Sequence, residues 1–196
     1  MKKRILALIA ALLLIANGAL AELIEGQQPD WLIAKIEDAY LKVAEVSQPE
    51  GFARLEGVMP NGTEPEIYFA PEDSESPIRF FYYTTGYGDP AVLADSARKA
   101  FPLYYEDCVT SELQSARIGD RDCTFFHYTC SYPDSEGATA YEQSLIGYFP
   151  IDETCFAACI ISLYAPDGES YAAEEELLDY LKIAGEAIAF EPFERK

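Results

Sequence analysis

The chain has 196 residues, with 14 Lys or Arg against 34 Asp or Glu and a formal charge of −20. So acidic a chain repels nucleic acid and anionic lipid surfaces, which excludes both as partners. Hydrophobic residues at 49% and aromatics at 13% exclude a disordered chain, and the length suits one globular domain.

Residues 1–21 read as a secretory signal peptide. Met1-Lys2-Lys3-Arg4 is a basic start, Ile5 to Ala16 an apolar run and Ala19-Leu20-Ala21 a small-x-small cleavage site. Three basic residues leave with the leader and no acidic one, taking the formal charge from −20 to −23. No cysteine follows the apolar run, so the chain is expected not to be a lipoprotein. No later run approaches the ~20 apolar residues of a membrane span. The expected location is secreted, periplasmic or otherwise extracytoplasmic. Residues 22–196 are then one globular domain, with an N-terminal helix over 30–47 and a core over 52–190.

The N-terminal helix is inferred from Asp30 as a cap and from Leu32, Ile36, Tyr40 and Val43 as a buried stripe. Short strands follow at Phe52–Val58 and Glu66–Ala70, joined through Asn61-Gly62, a dipeptide suited to a hairpin turn. Asn61-Gly62-Thr63 also fits a glycosylation sequon, which the turn explains sufficiently. Pro77–Thr85 is a further strand. Asp89 caps a second helix with Pro90 at its first position, Leu93, Ala97 and Ala100 or Phe101 on its buried stripe, and Pro102 limiting its length. A meander of strands comes next, Cys108–Ile118, Arg121–Tyr132, Thr139–Phe149 and Cys155–Tyr164, with turns at Gly119-Asp120, Pro133–Gly137 and Pro150–Thr154. A third helix follows Asp167-Gly168, with Ser170 as a cap and Leu177, Leu181, Ala184 and Ile188 facing inward.

If the hairpins close symmetrically, one face of the meander collects Cys123, Phe125, His127, Ile146, Tyr148, Ala157, Cys159 and Ile161. The other collects Phe126, Tyr128, Cys130, Tyr141, Leu145, Phe156, Ala158 and Ile160. Both faces are apolar, so both need covers, and the helices supply them. The fold class is α+β, an antiparallel meander covered by helices on both faces in an α/β/α sandwich. A β-sandwich is the runner-up.

Gly88-Asp89-Pro90, the run Tyr141 to Tyr148, the strand Cys155–Tyr164 and the helix from Ser170 to Ile188 come in an order that resembles the PsbP-like α/β/α superfamily. The resemblance spans Phe52 to Phe190, about four-fifths of the mature chain. It implies an accessory or binding role and supplies no metal-binding residues to carry over. The helix placed before Phe52 departs from its pattern.

The single histidine, His127, lies across from Ser144 in the symmetric register, which makes a Ser-His hydrolase conceivable. No nucleophile-elbow Gly-x-Ser-x-Gly accompanies it. One histidine does not make a zinc site, and the acidic clusters lack the alternating ligands of a calcium loop, so neither metal nor cofactor is expected. A carboxylate pair for glycoside hydrolysis is a matter of spatial separation and stays open at the level of sequence. Five cysteines in an exported chain suggest a disulfide. Cys108 and Cys130 oppose one another if the Gly119-Asp120 hairpin has a three-residue loop, whereas a two-residue loop shifts the register and spoils the pair. Tyr87, Tyr104 and Tyr105 flank the second helix and suit a recognition surface, since each offers an apolar ring with a polar tip. The resulting reading is an exported acidic binding or accessory module for an unknown protein or small ligand. The alternative is a secreted hydrolase using His127 with Ser144 or a carboxylate pair.

Overall fold

The computed structural model describes residues 31–36, 39–55, 67–105, 107–133, 137–153, 155–165 and 168–190. The expected leader and the Asn61-Gly62 turn lie outside the described residues. The chain is an α+β protein in which, among the described residues, antiparallel strands dominate and two helices pack against them. Among the described residues, no helix is long and apolar enough to cross a membrane.

A small sheet has the order β1-β2-β11, formed by Trp31–Ile36, Ala39–Val46 and Ile188–Phe190. The helix expected over 30–47 is therefore a hairpin. Ile33, Ile36, Val43 and Val46 are β-branched and favour strands. The deciding partner is remote: Val46 pairs with Ile188, almost the full length of the domain away. A stripe at steps of four, four and three conceals that pairing. Leu32, Val43, Ala44 and Val46 are buried. Ser47 N–H then donates to Ala187 O at 2.8 Å, tying the hairpin to the end of the last helix.

The main sheet has the order β3-β4-β5-β10-β9-β8-β6, with β7 also on β8. Its strands are β3 (Phe52–Arg54), β4 (Ile67–Pro71), β5 (Ile78–Tyr87), β6 (Val109–Thr110), β7 (Gln114–Ile118), β8 (Arg121–Pro133), β9 (Thr139–Pro150) and β10 (Cys155–Tyr164). The single strand expected over 108–118 is broken into β6 and β7. Ile118 pairs with Arg121 around a two-residue turn, while Val109 pairs with Thr129, one step out of that register. Residues 111–113 absorb the step: Ser111 N–H donates to His127 O at 2.9 Å and Ser111 Oγ accepts from His127 N–H at 3.0 Å.

Helix α1 (Pro90–Tyr104) starts as its sequence dictates. Asp89 Oδ1 accepts from the N–H groups of Ala91 and Val92 at 2.8 and 3.2 Å, and Pro90 needs no donor there. Pro102 lies inside the last turn, which runs two residues past it to Tyr104. Only Ala94, Ala97 and Phe101 of α1 are buried. They share a cluster with Phe126, Tyr128, Cys130, Ile146, Tyr148, Phe156 and Ala158. Helix α2 (Glu174–Glu186) buries Leu177, Leu181 and Ala184 in a different cluster, with Cys123, Phe125, Leu145, Phe149, Ala157, Cys159 and Ile161. Its cap is Ala173 rather than Ser170, and Glu176 Oε2 accepts the Ala173 N–H at 3.0 Å. Ile188 belongs to β11, not to the helix. At its far end, Arg121 donates to Gly185 O at 3.5 Å and to Ile188 O, satisfying late carbonyls as a cation at a helix C-terminus should.

The two clusters draw on alternate residues of β8, β9 and β10, as period two requires. The expected faces of β9 are exchanged, however. His127 pairs with Leu145 and Tyr128 with Ser144, because the hairpin closes at Pro133 and Thr139. One residue of slip sends Ile146 and Tyr148 to the cluster that holds Phe101 and Leu145 to the cluster that holds Leu177.

Candidate functional site

That slip separates the expected catalytic pair. Ser144 shares one face of the sheet with Tyr128 and Ile146, and His127 shares the other with Phe125 and Leu145. The sheet stands between them, so His127 cannot take the Ser144 proton. Burial lowers the His127 pKa from its ordinary 6.5, and the nearby Glu174 carboxylate opposes that shift. A histidine with a depressed folded-state pKa binds a proton more readily in the unfolded chain. Stability is therefore lost as pH falls through 6.5 toward the lower folded value. His127→Gln is expected to flatten that part of the profile, read as the difference in Tm between variant and wild type from pH 7 to pH 5. An unchanged pH dependence would show that His127 titrates normally.

The tyrosines are also dispersed. Tyr87 packs against the α2-side cluster and Tyr105 against the α1-side cluster. Tyr104 is 40% exposed at the end of α1. The three rings do not make one surface. Tyr105 instead stacks on Phe101, centroids 6.1 Å apart, and burial followed by the Glu142 charge pushes its phenol well above the ordinary value.

A different constellation assembles on the face of Tyr128 and Ser144, where β8, β9 and β10 run together. Register sets Cys130, Glu142 and Tyr164 in one row and Tyr128, Ser144 and Ser162 in the next. Glu142 Oε1 accepts hydrogen bonds from Ser144 Oγ at 2.6 Å and from Tyr128 Oη at 3.1 Å. Burial, and then the Glu142 charge, raise the Tyr128 pKa, which keeps the phenol a donor. Ser162 is fully buried beside Ser144, and its Oγ has no hydrogen-bond partner among the described residues. Arg79 crosses over this row from β5. Its guanidinium lies 5.4 Å from the Tyr164 ring centroid and contacts Tyr132 on β8. Burial works against that charge, but Tyr132, Glu142 and Tyr164 outweigh it.

Helix α1 packs chiefly over β6, β8 and β9. Beyond its footprint the same face continues over β10, β5 and β4 as aromatic rings. Tyr68 lies 4.6 Å from Tyr82 and 6.1 Å from Phe80, centroid to centroid. Tyr164 is 60% exposed, and Tyr68, Phe80 and Tyr132 are partly exposed. Here a carboxylate, a guanidinium and hydroxyls border a floor of rings, an arrangement that can hold a ring face by stacking and its substituents by hydrogen bonds. The sequence carried one sign of it: Glu142 and Ser144, two residues apart on a strand, place two polar groups on the same face of β9.

No family model matches the chain, and no curated protein matches it. Among solved structures it is similar to one described as the crystal structure of LpqN, involved in cell envelope biogenesis of Mycobacterium tuberculosis. The identity is 14%, over 76% of this chain and 83% of that one, with a TM-score of 0.41.

Proposed function

We propose that the chain is an exported, non-catalytic binding module, and that its ligand is a neutral saccharide lying on the aromatic face between Tyr68 and Glu142. The single observation that carries this is the ring-floored stretch of sheet outside the footprint of α1, with Arg79 and Glu142 at one end. A sugar presents flat C–H faces to rings and hydroxyls to charged groups, the chemistry this face offers. Arg79 and Glu142 offset one another locally, so the face favours an uncharged ligand although the whole chain is strongly acidic. The separation of His127 from Ser144 supports binding over hydrolysis. The finer architecture, with α1 and α2 on opposite faces as in the PsbP-like superfamily, is part of the same reading. Its support is that the helices bury their residues in different clusters. So is export, supported by the tripartite leader. The secreted form is expected to begin at Glu22, as N-terminal sequencing would show, and a retained leader would contradict it.

The function is tested by calorimetric titration with neutral oligosaccharides of hexose and N-acetylhexosamine. At least one is expected to bind, and Tyr164→Ala is expected to weaken it about tenfold, since losing one stacked ring costs about 1.5–3 kcal/mol at full burial and less on an open face. No binding across the panel, or equal binding by the variant, would overturn the reading.

A further inference from the structure

Two thiols face each other at the edge of the main sheet. Asp107 Oδ2 accepts a hydrogen bond from Ser131 Oγ at 3.0 Å, and Val109 pairs with Thr129. Both pairs share one register, so Cys108 is bracketed opposite Cys130. The kind of position follows from the next pair along. Ser111 N–H donates to His127 O, which makes Ser111 and His127 a hydrogen-bonded position. Alternation then makes Val109 and Thr129 hydrogen-bonded, and makes Cys108 and Cys130 non-hydrogen-bonded. At such positions Cα atoms lie about 4.5 Å apart with side chains at their closest, inside the roughly 4.4–6.8 Å range of disulfides. Both side chains also point the same way. Cys130 is buried in the α1-side cluster and Cys108 is half-buried against it.

The expected condition for this pairing, a three-residue turn at Gly119-Asp120, is not met. The step at 111–113 restores the same register by another route. All five cysteines are free thiols in the structure. Cys123, Cys155 and Cys159 belong to the other cluster, and β9 separates the strands of Cys123 and Cys159.

We propose that Cys108 and Cys130 close into a disulfide in an oxidising compartment, latching the C-terminal corner of α1 and the edge strand β6 onto β8. The oxidant is a small-molecule or protein disulfide. Cys108, the more exposed thiol, attacks as its thiolate and forms a mixed disulfide, expelling one thiolate of the oxidant. Cys130 then attacks the Cys108 sulfur and expels the second. Two protons leave the chain, and its two electrons reduce the oxidant disulfide to two thiols. The latch holds Tyr105 beside Glu142, at the rim of the proposed ligand face, but it does not depend on a ligand.

Closure has a pH signature. Burial and then Glu142 push Cys108 up to about 11 and raise Cys130 further. The groups facing the pair are Glu142 from β9, Tyr105 after α1, and Tyr128 on β8. Thiolate is therefore scarce at neutral pH, and the initial closure rate with oxidised glutathione is expected to rise close to tenfold per pH unit from pH 7 to 9.

The test oxidises the reduced full chain with oxidised glutathione, removes the oxidant and alkylates under denaturing conditions. Three alkylated cysteines of the five, and one linked peptide pair containing Cys108 and Cys130, are expected. Reductant should then lower the Tm of the oxidised protein by roughly 6–12 °C. It should leave Cys108→Ser unchanged, and the reduced wild type and the variant should melt alike, which separates loss of the latch from failure to fold. Five alkylated thiols, a different linked pair, or equal responses of wild type and variant to reductant would overturn the proposal.

Discussion

Replacing Phe149 by alanine is expected to lower the unfolding free energy by about 3–5 kcal/mol, the range for emptying a fully buried aromatic site. Phe149 has no exposed surface, and its ring lies against Gly185 of α2. Two glycines permit that approach. A Cβ on Gly185 would come within 2.7 Å of Phe149 Cζ and 2.8 Å of Ile118 Cγ2, and one on Gly147 within 2.5 Å of Leu181 Cδ1. The surroundings cannot collapse easily onto the void, because Tyr83 Oη donates to Ala184 O at 2.9 Å and holds the helix end at its present height. Loss should therefore be global, read as a shifted denaturation midpoint with an unchanged slope. A change below about 1 kcal/mol would mean that α2 is not seated as described.

Phe101→Ala is expected to act more locally and with similar magnitude, about 3–5 kcal/mol for the helix it anchors. The other buried residues of α1 are alanines, which bury little area each. Phe101 alone engages the sheet with a large ring, stacked on Tyr128 at 4.5 Å and edge-on to Phe126 at 6.0 Å. Without it α1 has little holding it down. Its amides should exchange much faster with solvent while those of β8, β9 and β10 keep their protection. Uniform loss of protection across the sheet would show that α1 is integral to the core and not a cover anchored by one ring.

Local chemistry was readable in the sequence and pairing across distance was not. Asp89 and Pro90 announce α1 because a cap and its helix are neighbours in the chain. The stripes of α1 and α2 were legible for the same reason. The hairpin over Trp31–Val46 was hidden because its third strand, Ile188–Phe190, comes from the far end of the domain. The β8–β9 register turned on one residue of turn length, and that residue moved every side chain of β9 to its opposite face. His127 and Ser144 parted for this reason, and Glu142 came to stand opposite Cys130. Cys108 and Cys130 ended opposite one another although the turn expected to align them has the other length, since a step three strand residues away cancels the shift.

Ligand is expected on the aromatic face and not on the exposed outer side of α1, where Val92 and Leu103 are 62% and 83% exposed. Hydroxyl-radical footprinting of the full chain, with and without the oligosaccharide found to bind, measures this directly. Tyr68, Phe80, Tyr132 and Tyr164 should be protected by ligand while Leu103 and Val109 react as before. Protection of Leu103 and Val109, with the four rings unchanged, would contradict the account.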